Sequence, residues 1–486
     1  MGKVLGTLKP ELVWKHFEEL CNCPRPSKKE EKAVEYVVAF AKSKNLETIK
    51  DKFGNVIVKK PASPGKENLK TVVLQGHLDI VCEKNRDVEH DFDNQGVKPF
   101  IDGDWVKAKG TTLGADNGIG VAAALAVLED SSLNHGPIEC LFTLDEETGL
   151  TGASNLEPGL LKADILINMD SEELGAFFIG CSGGKNTQPK FTFNKEEVPA
   201  DSAYFEIKVA GLQGGHSGLE IHTGRGNALK IITRLLRKAS KNFNLRLNKI
   251  EGGNKHNAIP REAFAIVSVE NKNKDQFLKY IDEFNSIVKA ENATVEPNLK
   301  VSAEVVSKPE FVMDSKTQMN LLNALHAVPH GVIKMSPDIP GLVETSTNLA
   351  VTLTENNEVR IVTSQRSSIQ TEIDDIADVV VSVFELAGAE IKMGDGYPGW
   401  KPNVNSDILK IFKSSYKELY GSDAEIKAIH AGLECGILGE KYPGLDMISF
   451  GPTMNDVHSP DEKLKISTVE PFYTLLKKVL ENIPAK

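Results

Sequence analysis

Five apolar runs in this chain end on side chains that ligate metals and move protons. They read TVVLQGHLD, LGADNGIG, IECLFTLDEETG, DILINMD and DMISFGPTMNDVHS, and they present His77, Asp79, Asp116, the pair Glu146–Glu147, Asp170 and His458. His77 and Asp79 are two residues apart, so in extended backbone they face the same side. One can bind a metal while the other holds the second imidazole nitrogen and sets the tautomer. The alternative is a satisfied histidine at a strand end beside a turn-forming aspartate. Asp116 fits either a helix N-cap or a carboxylate shared by two cations. Glu146 and Glu147 fit either a solvated turn or a division of labour, with one acid a ligand and the other a general base. Asp170 and His458 would each pass as structural if met alone. Repetition at every strand end favours a hydrolytic centre with two metals about 3.5–4 Å apart, which activate water and stabilise a developing oxyanion. Mixed nitrogen and oxygen ligands without thiolate suit zinc, cobalt or manganese.

Such a set needs a scaffold that gathers strand ends. In open α/β sheets, ligands collect beyond the carboxyl ends of the strands. ELVWKHFEEL and the segment around Ala33, Val34, Val37, Val38, Phe40 and Ala41 carry helical stripes, with Ser27 placed to cap the second. FGNVIVKK, TVVLQGHLD, IECLFTL and DILINM read as strands, VAAALAVLED as a helix, and GVKPFIDGDWVKAKG as a hairpin. That alternation predicts an α/β sheet, mainly parallel or mixed and sandwiched by helices. Near residue 187 the character changes. AYFEIKVAG, AFAIVSVE and LKVSAEVV alternate as strands, ALKIITRLLRKASK and TEIDDIADVVVSVFELAGAE are amphipathic helices, and LAVTLTENNEVRIVTSQ is a hairpin. Two strand–helix–strand–helix units in series predict a two-lobed α+β insertion. Because His458 lies so far from His77, a shared metal pair requires the middle of the chain to interrupt one catalytic domain. The expected division is a catalytic domain over residues 1–186 and 397–486, with a lid over 187–396.

The chain's 486 residues exceed what one ordinary core accommodates. Fifty-seven basic against 68 acidic residues leave a net charge of −11, which argues against nucleic acid or an anionic membrane as a partner. There is neither a bilayer-length apolar run nor a signal-like start, and six scattered cysteines suit a reduced, cytoplasmic setting.

GHLDIV, LGADNGIG, DEETG, NMDSE and NDVHSP resemble the metal-site motifs of the co-catalytic zinc aminopeptidase-like family that contains carnosinase, aminoacylase-1 and glutamate carboxypeptidases. CPRPSKKEE, VAGLQGGHSGLEIHTGRGNALK, HNAIPRE, PGLVETSTNLA, GYPGWKPN and HAGLECGIL resemble its aminoacyl-histidine dipeptidase branch, and the similarity runs from about residue 10 to 480. The resemblance implies a metallo-dipeptidase acting on unblocked dipeptides, Xaa-His types included, with two divalent ions per chain, zinc foremost. It implies one ion on His77 and Asp170, the other on Glu147 and His458, Asp116 bridging, Asp79 orienting His77, and Glu146 as general base. It also implies that His216 of GGHSG polarises the scissile carbonyl, that Asn257 and Arg366 grip the substrate carboxylate, and that Glu434 lies near the substrate's amino end. A histidine in a glycine turn and a surface salt bridge are the competing roles for His216 and Arg366, and His222 reads as structural. An aminoacylase or deacetylase, a metal-stabilised binding protein and a metal-dependent phosphohydrolase are the rival functions. The resemblance leaves open whether His216 serves its own chain or a homodimer partner.

Overall fold

The computed structural model describes residues 4–486, the side chain of Asp395 aside. The chain divides into two compact units. One comprises the segments up to Gly180, Pro402–Ala428 and Leu433–Lys486, and the other Cys181–Lys401 with Ile429–Gly432. The second unit thus begins a few residues earlier than residue 187, and a four-residue return, Ile429–Gly432, belongs to it. Cys181 exchanges backbone hydrogen bonds with Trp400, which closes that unit at its neck.

The first unit is built on an eight-stranded mixed sheet. Its four central strands in spatial order are Ile138–Thr143, Val72–His77, Ile165–Asn168 and Asp446–Ser449, all mutually parallel. Val56–Lys60, antiparallel to the central strands, and then Glu47–Lys50 extend one side, and antiparallel Ala176–Cys181 followed by Glu425–Ile429 the other. Val72–His77 and Ile138–Thr143 are buried at every position, which explains their unbroken Val, Ile and Leu content. The helix Ala115–Glu129 is buried almost throughout and packs against Glu11–Asn22 and against Val72–His77. Gly76 permits that approach, since a β-carbon there would lie 2.2 Å from Asn117 Oδ1.

The second unit carries a nine-stranded sheet whose two halves correspond to the two predicted lobes. Lys300–Val305, Ser202–Ala210, Ala263–Glu270 and Arg246–Gly252 form one half. Val343–Glu355, Glu358–Ser367, Gly183–Thr192 and Glu390–Tyr397 form the other, and Gly331–Met335 pairs beside it. The halves join where Gly252 meets Thr352. Ala228–Phe243 buries Leu229, Ile232, Leu235 and Leu236 in this unit's core, each contributing about 1.5–3 kcal/mol.

Among the described residues no helix is long and apolar enough to cross a membrane, and none of the six cysteines is in a disulfide.

Candidate metal centre

The carboxyl ends of the parallel strands supply the site. His77 ends its own strand, 1% exposed, with Nε2 at 3.0 Å from Asp116 Oδ1 and 3.3 Å from Asp170 Oδ1. Its Nδ1 faces Asp79, 3.3 Å from Oδ1. The two ring nitrogens therefore point to different partners, as the spacing of His77 and Asp79 predicts. Asp79 also accepts hydrogen bonds from Ser27 Oγ and from the backbone N–H groups of Glu146 and Glu147, at 2.8, 3.0 and 3.1 Å. It thereby ties one strand end to the next turn. Burial alone would raise its pKa, but the His77 imidazole and these donors hold it down to about 2. Ser27 was expected to cap the helix Glu31–Ser43. That helix has Glu30 at its N-cap and no side-chain cap: it starts three residues beyond the position Ser27 could cap, and the Ser27 hydroxyl donates to Asp79 instead.

Asp116 is not a helix cap either. Gly114 holds the N-cap position of Ala115–Glu129, and Asp116 and Asn117 depart from helical geometry inside the first turn. Both Asp116 oxygens instead meet imidazoles, Oδ1 that of His77 and Oδ2 that of His458, each at 3.0 Å. His458 Nε2 is also 3.0 Å from Glu147 Oε2. His458 adopts a left-handed backbone, φ 60°, uncommon for a residue with a side chain. Leu78 donates to the Thr143 carbonyl, and Asp145 accepts from the hydroxyls of Thr148 and Thr151, so the turn presenting Glu146 and Glu147 is closely held.

The electrostatics are those of an over-acidic pocket. No lysine or arginine lies within 4 Å of Asp79, Asp116, Glu146, Glu147 or Asp170 among the described residues; their ion-pair partners are histidines only. Burial raises Glu146, Glu147 and Asp170. Asp116 and Glu147 lift His458 to about 11. Burial disfavours charge on His77, yet Asp170, Asp116 and Asp79 outweigh it and drive its pKa up. Buried carboxylates in excess of cations are costly unless a positive charge joins them. Two buried oxygens, Glu147 Oε1 and Asp170 Oδ1, accept no hydrogen bond, since the His77 Nε2 that stands 3.3 Å from Asp170 Oδ1 makes its hydrogen bond to Asp116. Ligand atoms gather within 4.8 Å of one another in three sets: His77 with Asp116 and Asp170; Asp116 with Glu147 and His458; and His77 with Glu146 and Glu147. The residues fit divalent cations.

Glu434 reaches the same unit's floor from the first turn of the helix Glu434–Lys441. It is fully buried, and its Oε2 accepts from Gln75 Nε2 at 2.5 Å and Thr143 Oγ1 at 2.6 Å. Oε1 has no donor, and burial lifts the group to about 7.

His216, Asn257 and Arg366 lie in the second unit. His216 Nδ1 accepts the N–H groups of Gly218 and Leu219, at 3.2 and 3.1 Å. The ring proton is thereby confined to Nε2, and burial together with Arg366 lowers the pKa to about 4. Asn257 joins the same loop through its carbonyl, which accepts from Ser217 N–H at 2.9 Å. Arg366 is 6% exposed, pairs with no carboxylate among the described residues, donates from Nη1 to Tyr397 Oη at 2.9 Å, and leaves Nε without an acceptor. The surface salt bridge that competed for this arginine is not formed. His222 is exposed.

Three further residues near these groups were not singled out from the sequence. Arg25 is buried and donates to the carbonyls of Leu78 and Gly114, at 2.9 and 2.6 Å. Glu462 binds the turn before Asp116. Tyr397 abuts Gly184 and Gly432, where β-carbons would come within 2.9 Å of its ring. Only Arg25, set between two prolines in CPRPS, carried a visible signal.

Comparison with known proteins agrees with this architecture. The chain is 43% identical over 482 residues to the cytosol non-specific dipeptidase of Escherichia coli (strain K12), covering 99% of each chain. Its fold matches the crystal structure of aminoacylhistidine dipeptidase from Vibrio alginolyticus with a TM-score of 0.93, at 45% identity over 99% of this chain and 98% of that one. Aminopeptidase PepT from Bacillus cereus shares the fold at a TM-score of 0.61 and 16% identity, over 98% of this chain and 100% of that one. The model of peptidase family M20/M25/M40 matches residues 73–482. With a strand-end cluster of carboxylates and imidazoles inside that span, the chain belongs to peptidase family M20/M25/M40.

Proposed function

We propose that this chain is a dinuclear metal-dependent dipeptidase that hydrolyses unblocked dipeptides, Xaa-His types among them. The observation that carries the reading is the meeting of His77, Asp116, Glu147, Asp170 and His458 around buried, donor-free oxygens, with Glu146 beside them. The name borne by the 43%-identical E. coli relative supports the substrate class. His77 and Asp170 would hold one cation, Glu147 and His458 the other, and Asp116 both. Zinc suits this donor set best, with cobalt or manganese as alternatives. When bound, the ions would supply Lewis acidity that polarises the scissile carbonyl and makes water nucleophilic near neutral pH.

The chain's own residues supply the remainder. Asp79 holds His77 in the tautomer that turns Nε2 toward the cluster. Glu146 takes the proton of the attacking water and delivers it to the leaving nitrogen. Its pKa, raised by burial and further by Asp170, Glu147 and Glu434, suits a group that must hold a proton between those two steps. His216, neutral with its proton on Nε2, is a donor for the oxygen on which negative charge develops. Arg366, buried without a carboxylate partner, recognises the substrate's carboxylate together with Asn257, and Glu434 recognises its amino end. A cytoplasmic location accords with the relative's name.

A panel of free dipeptides and N-acetyl amino acids tests this reading, using metal-stripped protein refilled with zinc, cobalt or manganese. Free dipeptides should be cleaved and blocked ones spared. Release of acetate with intact dipeptides would point to the aminoacylase alternative.

A further inference from the structure

Glu462 is a buried carboxylate, 2% exposed, with no lysine or arginine within 4 Å among the described residues. Its charge is met by four backbone amides instead. Oε2 accepts from Leu113 N–H at 2.7 Å and Gly114 N–H at 2.9 Å, and Oε1 from Ala115 N–H at 2.8 Å and Asp116 N–H at 3.3 Å. Three of these, on Gly114, Ala115 and Asp116, are free donors at the start of the helix Ala115–Glu129, whose own N-cap, Gly114, has no side chain to offer. A carboxylate there gains from the helix dipole as well as from the hydrogen bonds. The same turn is gripped on its acceptor side by Arg25 Nη2, 2.6 Å from the Gly114 carbonyl.

The cap arrives from more than 340 residues away, four positions after His458. Between them, Glu462 N–H donates to the Ser459 carbonyl at 3.1 Å, and the strand Lys463–Lys465 then pairs with Trp105–Ala108. One carboxylate therefore fastens the loop bearing His458 to the turn bearing Asp116, and those two side chains meet at 3.0 Å.

We infer that Glu462 is a positioning residue that sets how tightly a cation is held by Asp116, Glu147 and His458, without itself touching cation or substrate. This rests on the dinuclear reading above. Glutamine is nearly isosteric but turns an NH2 toward two of the four N–H donors, so the loop and the turn must part. Asp116 is common to both cations, but His458 serves only one of them, and the other keeps His77 and Asp170 on neighbouring strand ends that Glu462 does not touch, so the larger loss falls on the cation shared with His458.

The test is cobalt(II) titration of metal-stripped protein, followed by calorimetry and visible absorption. Wild type should take up two equivalents. Folded Glu462→Gln, checked by circular dichroism, should keep one equivalent near wild-type affinity and bind the other at least tenfold more weakly, with an altered d–d spectrum. Glu462→Asp, shorter but charged, should recover part of the loss. Two equivalents at unchanged affinity and spectrum in Glu462→Gln would overturn the inference while leaving the dinuclear reading intact. Failure of wild type to bind cobalt would overturn that reading itself. If neither variant folds, hydrogen exchange on the metal-stripped wild type decides. Slow amides at 113–116 support the inference and fast ones overturn it.

Discussion

At the scale of single residues, Glu146 and Glu147 differ in their neighbours, as the proposed division into base and ligand requires. Glu147 Oε2 meets His458 at 3.0 Å. Glu146 has no ion-pair partner within 4 Å among the described residues and is held near the cluster through its backbone N–H on Asp79. Substituting Glu146→Gln should therefore lower kcat by roughly 10²–10⁴-fold, the usual range for a positioned general base, while metal content measured by atomic emission stays at the wild-type value. Loss of metal with loss of turnover would move Glu146 into the ligand set. Residue types at strand ends were legible from the sequence because the Val, Ile and Leu runs that present them are buried on both faces. Glu462 was not legible, because its partners are backbone amides far along the chain, and main-chain groups leave no trace in residue identity.

At the scale of elements, three helices of the first unit meet on a buried histidine. His16, on Glu11–Asn22, has Nδ1 at 2.7 Å from Tyr36 Oη of Glu31–Ser43 and Nε2 at 2.9 Å from Glu129 of Ala115–Glu129. Lys15 and Lys44 also reach Glu129, and the Phe40 ring stands edge-on to the imidazole. Burial lowers the His16 pKa from 6.5 to about 4, against the pull of Glu129. The folded state thus binds fewer protons than the unfolded chain between those values. The associated stability is complete above pH 6.5 and drains away as the pH falls toward 4. Urea denaturation of metal-free protein should show wild type losing about 2 kcal/mol more than His16→Gln between pH 7 and pH 5. Parallel losses in the two proteins would mean that His16 does not titrate as described. Glu11–Asn22 and Glu31–Ser43 were readable from their stripes, and Ala115–Glu129 from its unbroken alanine, valine and leucine run. The strands Gly183–Thr192 and Arg246–Gly252 were not, because GGKNTQPKFT and RLNKIEG carry many polar residues and some of these are satisfied by hydrogen bonds rather than by burial of apolar surface. Asn248 donates to the Phe311 carbonyl, and Thr187 to Gln365.

At the scale of the whole molecule, the first unit is assembled from chain segments that flank the second. Asp446–Ser449 returns after that interruption to pair in parallel with Ile165–Asn168, and the loop that follows it delivers His458 to Asp116. The separation of His77 and His458 in sequence makes such an insertion a requirement of any shared site. The limits of the units were less legible, since the neck at Cys181 and Trp400 is a backbone contact. The second unit keeps its own pair, the buried Arg366 donating to Tyr397 Oη, with Arg366 also acting on the His216 imidazole. The measurement that bears most directly on the whole account is anomalous scattering at the zinc edge from crystals of zinc-loaded protein. The account predicts two peaks per chain, one ligated by His77, Asp116 and Asp170 and the other by Asp116, Glu147 and His458. Density without a peak among these residues, or zinc bound only elsewhere, would contradict it.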